Sequence, residues 1–285
     1  MMIEAFFDEA TSNVSYVVAD PQTKTCAIID PVLDFEPCNA TITSMSAQRI
    51  VDFVQARQFS VSWLLETHVH ADHLSASAWL QERLGGKIAI GAQVTQVQEI
   101  FGNLFNAGIE FKRDGSQFDR LLQDGDTLAI GDLDVRVMHT PGHTPACVTY
   151  LIGDAAFIGD TLFMPDYGTA RCDFPGGDAR ALYRSIQRIF ALPGSTRLFL
   201  NHDYLPAGRS DYRWESTVDA QRQGNVQLNA QTDEADFVAR RNARDQQLAK
   251  PRLLLPSIQV NMRGGRLPPP ENNGKRYLKL PITIS

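Results

Sequence analysis

The chain has 285 residues, with 43% apolar and 21% charged side chains and a formal net charge of −6. That length can bury a full core, as one large domain or one and a half, and the negative charge argues against a nucleic-acid partner held by counterion release. No apolar stretch is long enough to span a bilayer, and the acidic start Met1-Met2-Ile3-Glu4 lacks the basic opening of a leader, so the reading is a cytoplasmic or already processed protein with no membrane partner.

In chain order, strands are expected at Ile3–Phe7, Ser15–Ala19 and Thr25–Ile29, with a Pro21-Gln22 turn between the last two. Ala47, Ile50, Val51 and Val54 recur at helical spacing and predict a helix from about Ser46 to Ala56. The apolar run Val61–Leu65 reads as a buried strand. Leu74–Leu84 reads as a helix stopped by Gly85-Gly86. A strand at Lys87–Gly91 and a helix at Val94–Phe105 follow. Thr127–Ile130 and Val135–Met138 read as a hairpin around Gly131-Asp132, and Val148–Ile152 and Ala156–Ile158 flank another Gly-Asp turn. Leu182–Leu192 is an amphipathic helix and Arg197–Leu200 a strand. Beyond Asp211 the character changes. Trp214–Leu228 and Asp233–Leu248 read as helices, and an extended Pro-rich tail begins at Pro251, with Leu267–Gly274 as a loop. Interleaved strands and helices imply two mixed sheets packed face to face with helices outside. In open α/β sheets, ligands gather beyond the strand ends.

Five of the six histidines fall at or just past the ends of strand-like runs. Thr67-His68-Val69-His70-Ala71-Asp72-His73 places three imidazoles and a carboxylate after Val61–Leu65. His143 lies in His139-Thr140-Pro141-Gly142-His143, Asp160 in Gly159-Asp160, and His202 in Asn201-His202-Asp203-Tyr204. Imidazole and carboxylate together suit borderline metals. His139, outside the spacing, is expected to be structural. Cys26, Cys38, Cys147 and Cys172 form no CxxC pair. No disulfide framework is expected, and only Cys172, in a polar loop near the site, is a cysteine to watch.

The ordered strings Thr-His-x-His-x-Asp-His, Pro-Gly-His-Thr-Pro, Gly-Asp and His-Asp-Tyr resemble the metallo-β-lactamase superfamily. The resemblance implies an α/β fold, a four-layer αβ/βα sandwich with a C-terminal helical and extended segment. The expected division is a catalytic domain over residues 1–210, with C-terminal helices and tail, 211–285, packed on the same domain. Ile29-Asp30-Pro31-Val32-Leu33, Arg171-Cys172-Asp173-Phe174, His202-Asp203-Tyr204 and Val260-Asn261-Met262-Arg263-Gly264 narrow the similarity to the persulfide dioxygenases. The longer segment 163–170 and the longer tail 266–285 are similar to that family's bacterial branch.

This resemblance implies one iron(II) per chain, held by His68, His143 and Asp160, with one face of an octahedron left open to reactants. It casts His70, Asp72, His73, His202 and Tyr204 as catalytic partners around the metal. Arg171, Tyr204 and Arg213 become candidates to bind substrate, and an arginine fork suits a carboxylate. The implied reaction is oxidation of glutathione persulfide by dioxygen to sulfite and glutathione, and family habit leaves a homodimer open. Because His70, Asp72, His73 and His202 also complete the two-metal site of hydrolytic relatives, a binuclear zinc or iron hydrolase of glutathione thioesters, the glyoxalase II type, stays open. So does a non-catalytic redox sensor or scaffold.

Overall fold

A computed structural model describes residues 1–283; the last two residues of the long tail lie outside it. The chain begins with β1 (Met2–Asp8), β2 (Asn13–Asp20), β3 (Thr25–Ile29), β4 (Val32–Glu36) and β5 (Thr41–Thr43), then α1 (Met45–Ala56). Next come β6 (Ser60–Leu65), β7 (Leu74–Ser75), α2 (Ser77–Leu84), β8 (Lys87–Gly91), α3 (Val94–Leu104) and β9 (Arg120–Leu122). The second half holds β10 (Thr127–Ile130), β11 (Leu133–His139), β12 (Val148–Ile152), β13 (Ala155–Phe157), α4 (Ala179–Phe190) and β14 (Arg197–Phe199). It closes with β15 (Glu215–Thr217), α5 (Val218–Gly224), α6 (Glu234–Asp245) and α7 (Leu254–Asn261).

One six-stranded sheet has the order β1-β2-β3-β6-β8-β9, the other β10-β11-β12-β13-β14-β15, and a small sheet runs β5-β4-β7. Period-two alternation explains the layering. In β2, Val14, Tyr16 and Val18 join the core between the sheets, while Val17 and Ala19 join the core beneath α1, α2 and α3. In β13, Ala155 and Phe157 face the inter-sheet core and Ala156 faces the one under α4. Central strands buried on both faces must be apolar on both, so these runs read as continuous hydrophobic segments. The result is the four-layer αβ/βα sandwich.

The C-terminal elements share these cores. Val218, Leu228 and Phe237 pack with Leu182 and Ile186 of α4, and Ile258, Val260 and Met262 pack with Leu74 and Leu80. Four expectations need correction. Leu74-Ser75 is a short strand, not the start of a helix, because it pairs with Val32-Leu33. The predicted helix Leu182–Leu192 starts earlier, at Ala179, where the Asp178 carboxylate caps the Ala181 N–H at 2.9 Å. Trp214–Leu228 opens as the edge strand β15 along β14, and the helix starts only after Thr217, whose hydroxyl caps Ala220. The stretch after Pro251 is not all extended. It contains α7, whose Pro256 sits in the first turn, where its missing N–H has no helical partner to lose.

Candidate metal centre

Three strand ends deliver the site. β6 runs into the buried segment Glu66–His73, β13 into Gly159-Asp160, and β14 into Asn201-His202. His143 comes from the loop after β11. There Gly142 has φ 143°, and a β-carbon on it would lie 2.4 Å from the Leu182 backbone. Only glycine lets this loop press against α4. Gly142→Ala is expected to cost about 2–4 kcal/mol, against about 1–2 kcal/mol for Gly85→Ala, where φ is 74° but the space is open. Thermal unfolding measures both, and equal losses would refute the packing argument.

The imidazoles are oriented one by one. The Nδ1 of His73 lies 3.0 Å from the Leu74 carbonyl, that of His143 lies 2.8 Å from the Arg171 carbonyl, and that of His202 lies 3.0 Å from the Ser12 carbonyl. A carbonyl only accepts, so each Nδ1 carries a proton, and the tautomer this fixes leaves Nε2 as the atom free to present a lone pair. His68 reaches the same state through Thr67. Its Nδ1 lies 3.0 Å from the Thr67 hydroxyl, which donates its own hydrogen to Asp30 Oδ2 at 2.7 Å. Burial first, then neighbouring histidines, hold His68 well below the ordinary imidazole range and keep it neutral. Burial likewise lowers His73.

These lone pairs meet carboxylates. Asp160 Oδ2 lies 3.8 Å from His68 Nε2 and 3.6 Å from His143 Nε2, and Asp160 Oδ1 lies 3.5 Å from His202 Nε2. His202 Nε2 is also 3.3 Å from Asp72 Oδ2. The Nε2 atoms of His68, His73 and His202, with Asp72 Oδ2 and Asp160 Oδ1, are buried without a hydrogen-bond partner. Acceptors facing acceptors in a buried site are stable only around a cation, so the residues fit a metal. His68, His143 and Asp160 form one set whose donor atoms lie within 4.8 Å of one another, and His70, Asp72 and His73 form a second.

Sequence reasoning used Asp30 as part of a string but gave it no role. It is fully buried with φ 49°, unusual for a non-glycine residue. Its carboxylate accepts from the Thr67 N–H, the Thr67 hydroxyl, Asn201 and His70 Nε2, at 2.6–2.9 Å. Glu66 accepts from the Ser75 and Ser77 hydroxyls. Asn261 of α7 donates to the carbonyls of His70 and His73 at 2.9 and 2.8 Å and accepts from the Ser75 N–H at 2.7 Å. The available signal was an acid or amide directly after a buried apolar run.

A cavity of about 340 Å³ opens over the centre, in the range that holds a small ligand. Asp72, His143 and Asp160 line its floor, and Phe163, Tyr167, Phe174 and Tyr204 its wall. The Tyr204 ring stacks on His202 at 5.1 Å. Arg171 lines the cavity, but Asp173 takes its fork at 2.6 and 2.7 Å and the Ala249 carbonyl takes another N–H, so the arginine itself is already paired. Arg213 is not brought to the site. It is exposed, paired with Asp211, and absent from the cavity lining. His139 is tied to the Pro145 carbonyl at 2.8 Å, a structural role. All four cysteines are free, and burial raises the thiol pKa of Cys172 well above its ordinary value, which argues against a thiolate there.

With this geometry in hand, the sequence matches the metallo-beta-lactamase superfamily over residues 9–202. A probable metallo-hydrolase of Burkholderia pseudomallei is 57% identical over 99% of both chains. A beta-lactamase hydrolase-like protein of Agrobacterium fabrum is 54% identical over 99% of this chain, which spans 65% of that protein. A mitochondrial persulfide dioxygenase of Bos taurus is 30% identical, covering 95% of this chain and 91% of its own. Among solved structures, ETHE1 of Myxococcus xanthus superposes with a TM-score of 0.74 at 26% identity, covering 93% of this chain and all of that one. Among the described residues no helix is long and apolar enough to cross a membrane.

Proposed function

The chain belongs to the metallo-beta-lactamase superfamily, and from that premise we propose that it is a persulfide dioxygenase working on glutathione persulfide with one iron(II) per chain. The observation that carries this reading is the buried set of two imidazoles and one carboxylate, His68, His143 and Asp160, of which His143 and Asp160 line the floor of a small cavity. Two histidines and one carboxylate with open positions suit non-haem iron(II) and dioxygen. The 30% identity to a persulfide dioxygenase over most of both chains adds to it.

The reaction balances as persulfide, dioxygen and water giving thiol and sulfurous acid. The outer sulfur gives up four electrons, dioxygen takes up four, and the sulfur–sulfur bond breaks. Iron bound at His68, His143 and Asp160 would supply the electron transfer to dioxygen that no side chain offers. The protein's own contribution is positional. The carbonyls of Arg171, Leu74 and Ser12 and the Thr67 hydroxyl fix four rings in one tautomer each, and such partners set ligand basicity. Phe163, Tyr167, Phe174 and Tyr204 line the wall above the floor. Asp72 and His202, 3.3 Å apart beside the floor, take the proton of the water that completes sulfite, and Tyr204 steadies the His202 ring by stacking.

A second reading has its own support. The unpartnered Nε2 atoms of His73 and His202, with Asp72 Oδ2 and Asp160 Oδ1, would accept a second ion. A second ion held there beside the first would supply Lewis acidity and a water of lowered pKa, the chemistry of a thioester hydrolase. An oxygen electrode and a metal analysis separate the two. The expected result is close to one iron per chain, and oxygen uptake matched by sulfite when glutathione persulfide is added. Two zinc ions per chain, with cleavage of D-lactoylglutathione and no oxygen uptake, would establish the hydrolase instead.

A further inference from the structure

The mouth of the cavity carries four arginines, and their pairing divides them. Arg171 is held by Asp173, and Arg241, buried, by Asp245. Arg244 and Arg252 line the same mouth, are exposed, and form no ion pair or side-chain hydrogen bond among the described residues. Glu36 feels Arg252 only through space, after its own hydrogen bonds to Cys38. The Arg244 guanidinium stands 6.0 Å from the Tyr167 ring, Tyr167 lies 4.9 Å from Tyr204, and Tyr204 stacks on His202 at 5.1 Å. An aromatic ladder therefore leads from a free cation at the mouth to the metal floor.

We infer that Arg244 and Arg252 are the carboxylate-binding residues of this site, gripping the glycine-end carboxylate of a glutathione-type thiol whose sulfur points at the floor. This rests on the persulfide dioxygenase reading only for the choice of thiol. A guanidinium fork matches a carboxylate in shape and charge, and among the described residues neither fork has an ion-pair partner to give up. The glycine end suits them because the other carboxylate of glutathione lies beside an ammonium, which two guanidiniums repel. The assignment moves substrate recognition from the paired Arg171 to α6 and the segment after it.

The test is calorimetric binding of reduced glutathione to the metal-loaded protein, which requires no turnover. Arg244→Gln and Arg252→Gln are each expected to weaken binding by about tenfold. Arg136→Gln, an exposed change on β11, leaves it unchanged. Amidating the glycine carboxylate of glutathione weakens binding to the wild type but adds little in the double variant. Unchanged affinity in both single variants, equal binding of the amide, or no glutathione binding by the wild type at millimolar concentration overturns the inference. A wild type that takes up no oxygen with glutathione persulfide, yet shows this binding pattern, sinks the dioxygenase reading alone.

Discussion

Asp160→Ala is expected to strip the metal, leaving less than about a tenth of an ion per chain, and to lower kcat/KM by far more than the 10–100-fold typical of outer partners. The carboxylate serves two imidazoles through Oδ2, at 3.6 and 3.8 Å, and faces His202 through Oδ1. Its loss leaves that donor set with two imidazoles and no anion to balance a divalent charge. His73→Ala gives the contrast. His73 belongs with His70 and Asp72, not with the first donor set. Iron should stay near full occupancy while turnover falls roughly 10–100-fold. Elemental analysis and oxygen uptake on the two variants decide it: if His73→Ala loses metal as completely as Asp160→Ala, the one-iron assignment is wrong.

Asp30→Ala should be the most destabilising single change near the site. Four donors converge on this buried carboxylate, and removing it orphans Thr67, His70 and Asn201 together. Leaving such partners uncompensated costs about 3–5 kcal/mol, which at this size is a fall in Tm of roughly 10 °C. Asp30→Asn separates structure from metal control. Asparagine tolerates the left-handed backbone at φ 49° and keeps the volume and one acceptor oxygen, but its NH2 replaces the other acceptor, so only part of the stability survives. It loses the charge that anchors the Thr67 hydroxyl behind His68, and metal affinity should drop about 10–100-fold. Thermal melts and chelator competition measure the pair. An Asp30→Asn protein with native metal affinity would reduce Asp30 to a packing residue.

The convergence of five histidines on one site was legible because metal donors follow apolar strand runs and so must meet at sheet ends. The layering was legible for a related reason: β2, β3 and β13 are apolar on both faces, which only a strand between two cores requires. What stayed hidden depends on contacts distant in sequence. Pro251 and the Pro-rich stretch after it suggested an extended tail, whereas α7 tolerates Pro256 in its first turn and packs Ile258 and Val260 into the core beneath α1 and α2. The edge strand β15 looked helical because only its pairing with β14 makes it extended. Arg171 and Arg213 were attractive as carboxylate-binding forks, but Asp173 and Asp211, each two residues away, pair with them, and residue type alone does not decide between an ion pair and a substrate. The number of metals was not legible because one string supplies donors to both sets.

Asn261 has a consequence for the polypeptide as a whole. Its amide clamps the carbonyls on either side of Asp72 from a helix almost two hundred residues downstream. Docking of that helix and capture of the ion are therefore linked equilibria, and linkage is reciprocal. Any factor by which the seated helix tightens the ion is the factor by which the ion tightens the helix. Metal starvation then reaches beyond the active site, loosening the end of the chain and offering proteases a segment that the loaded protein keeps folded.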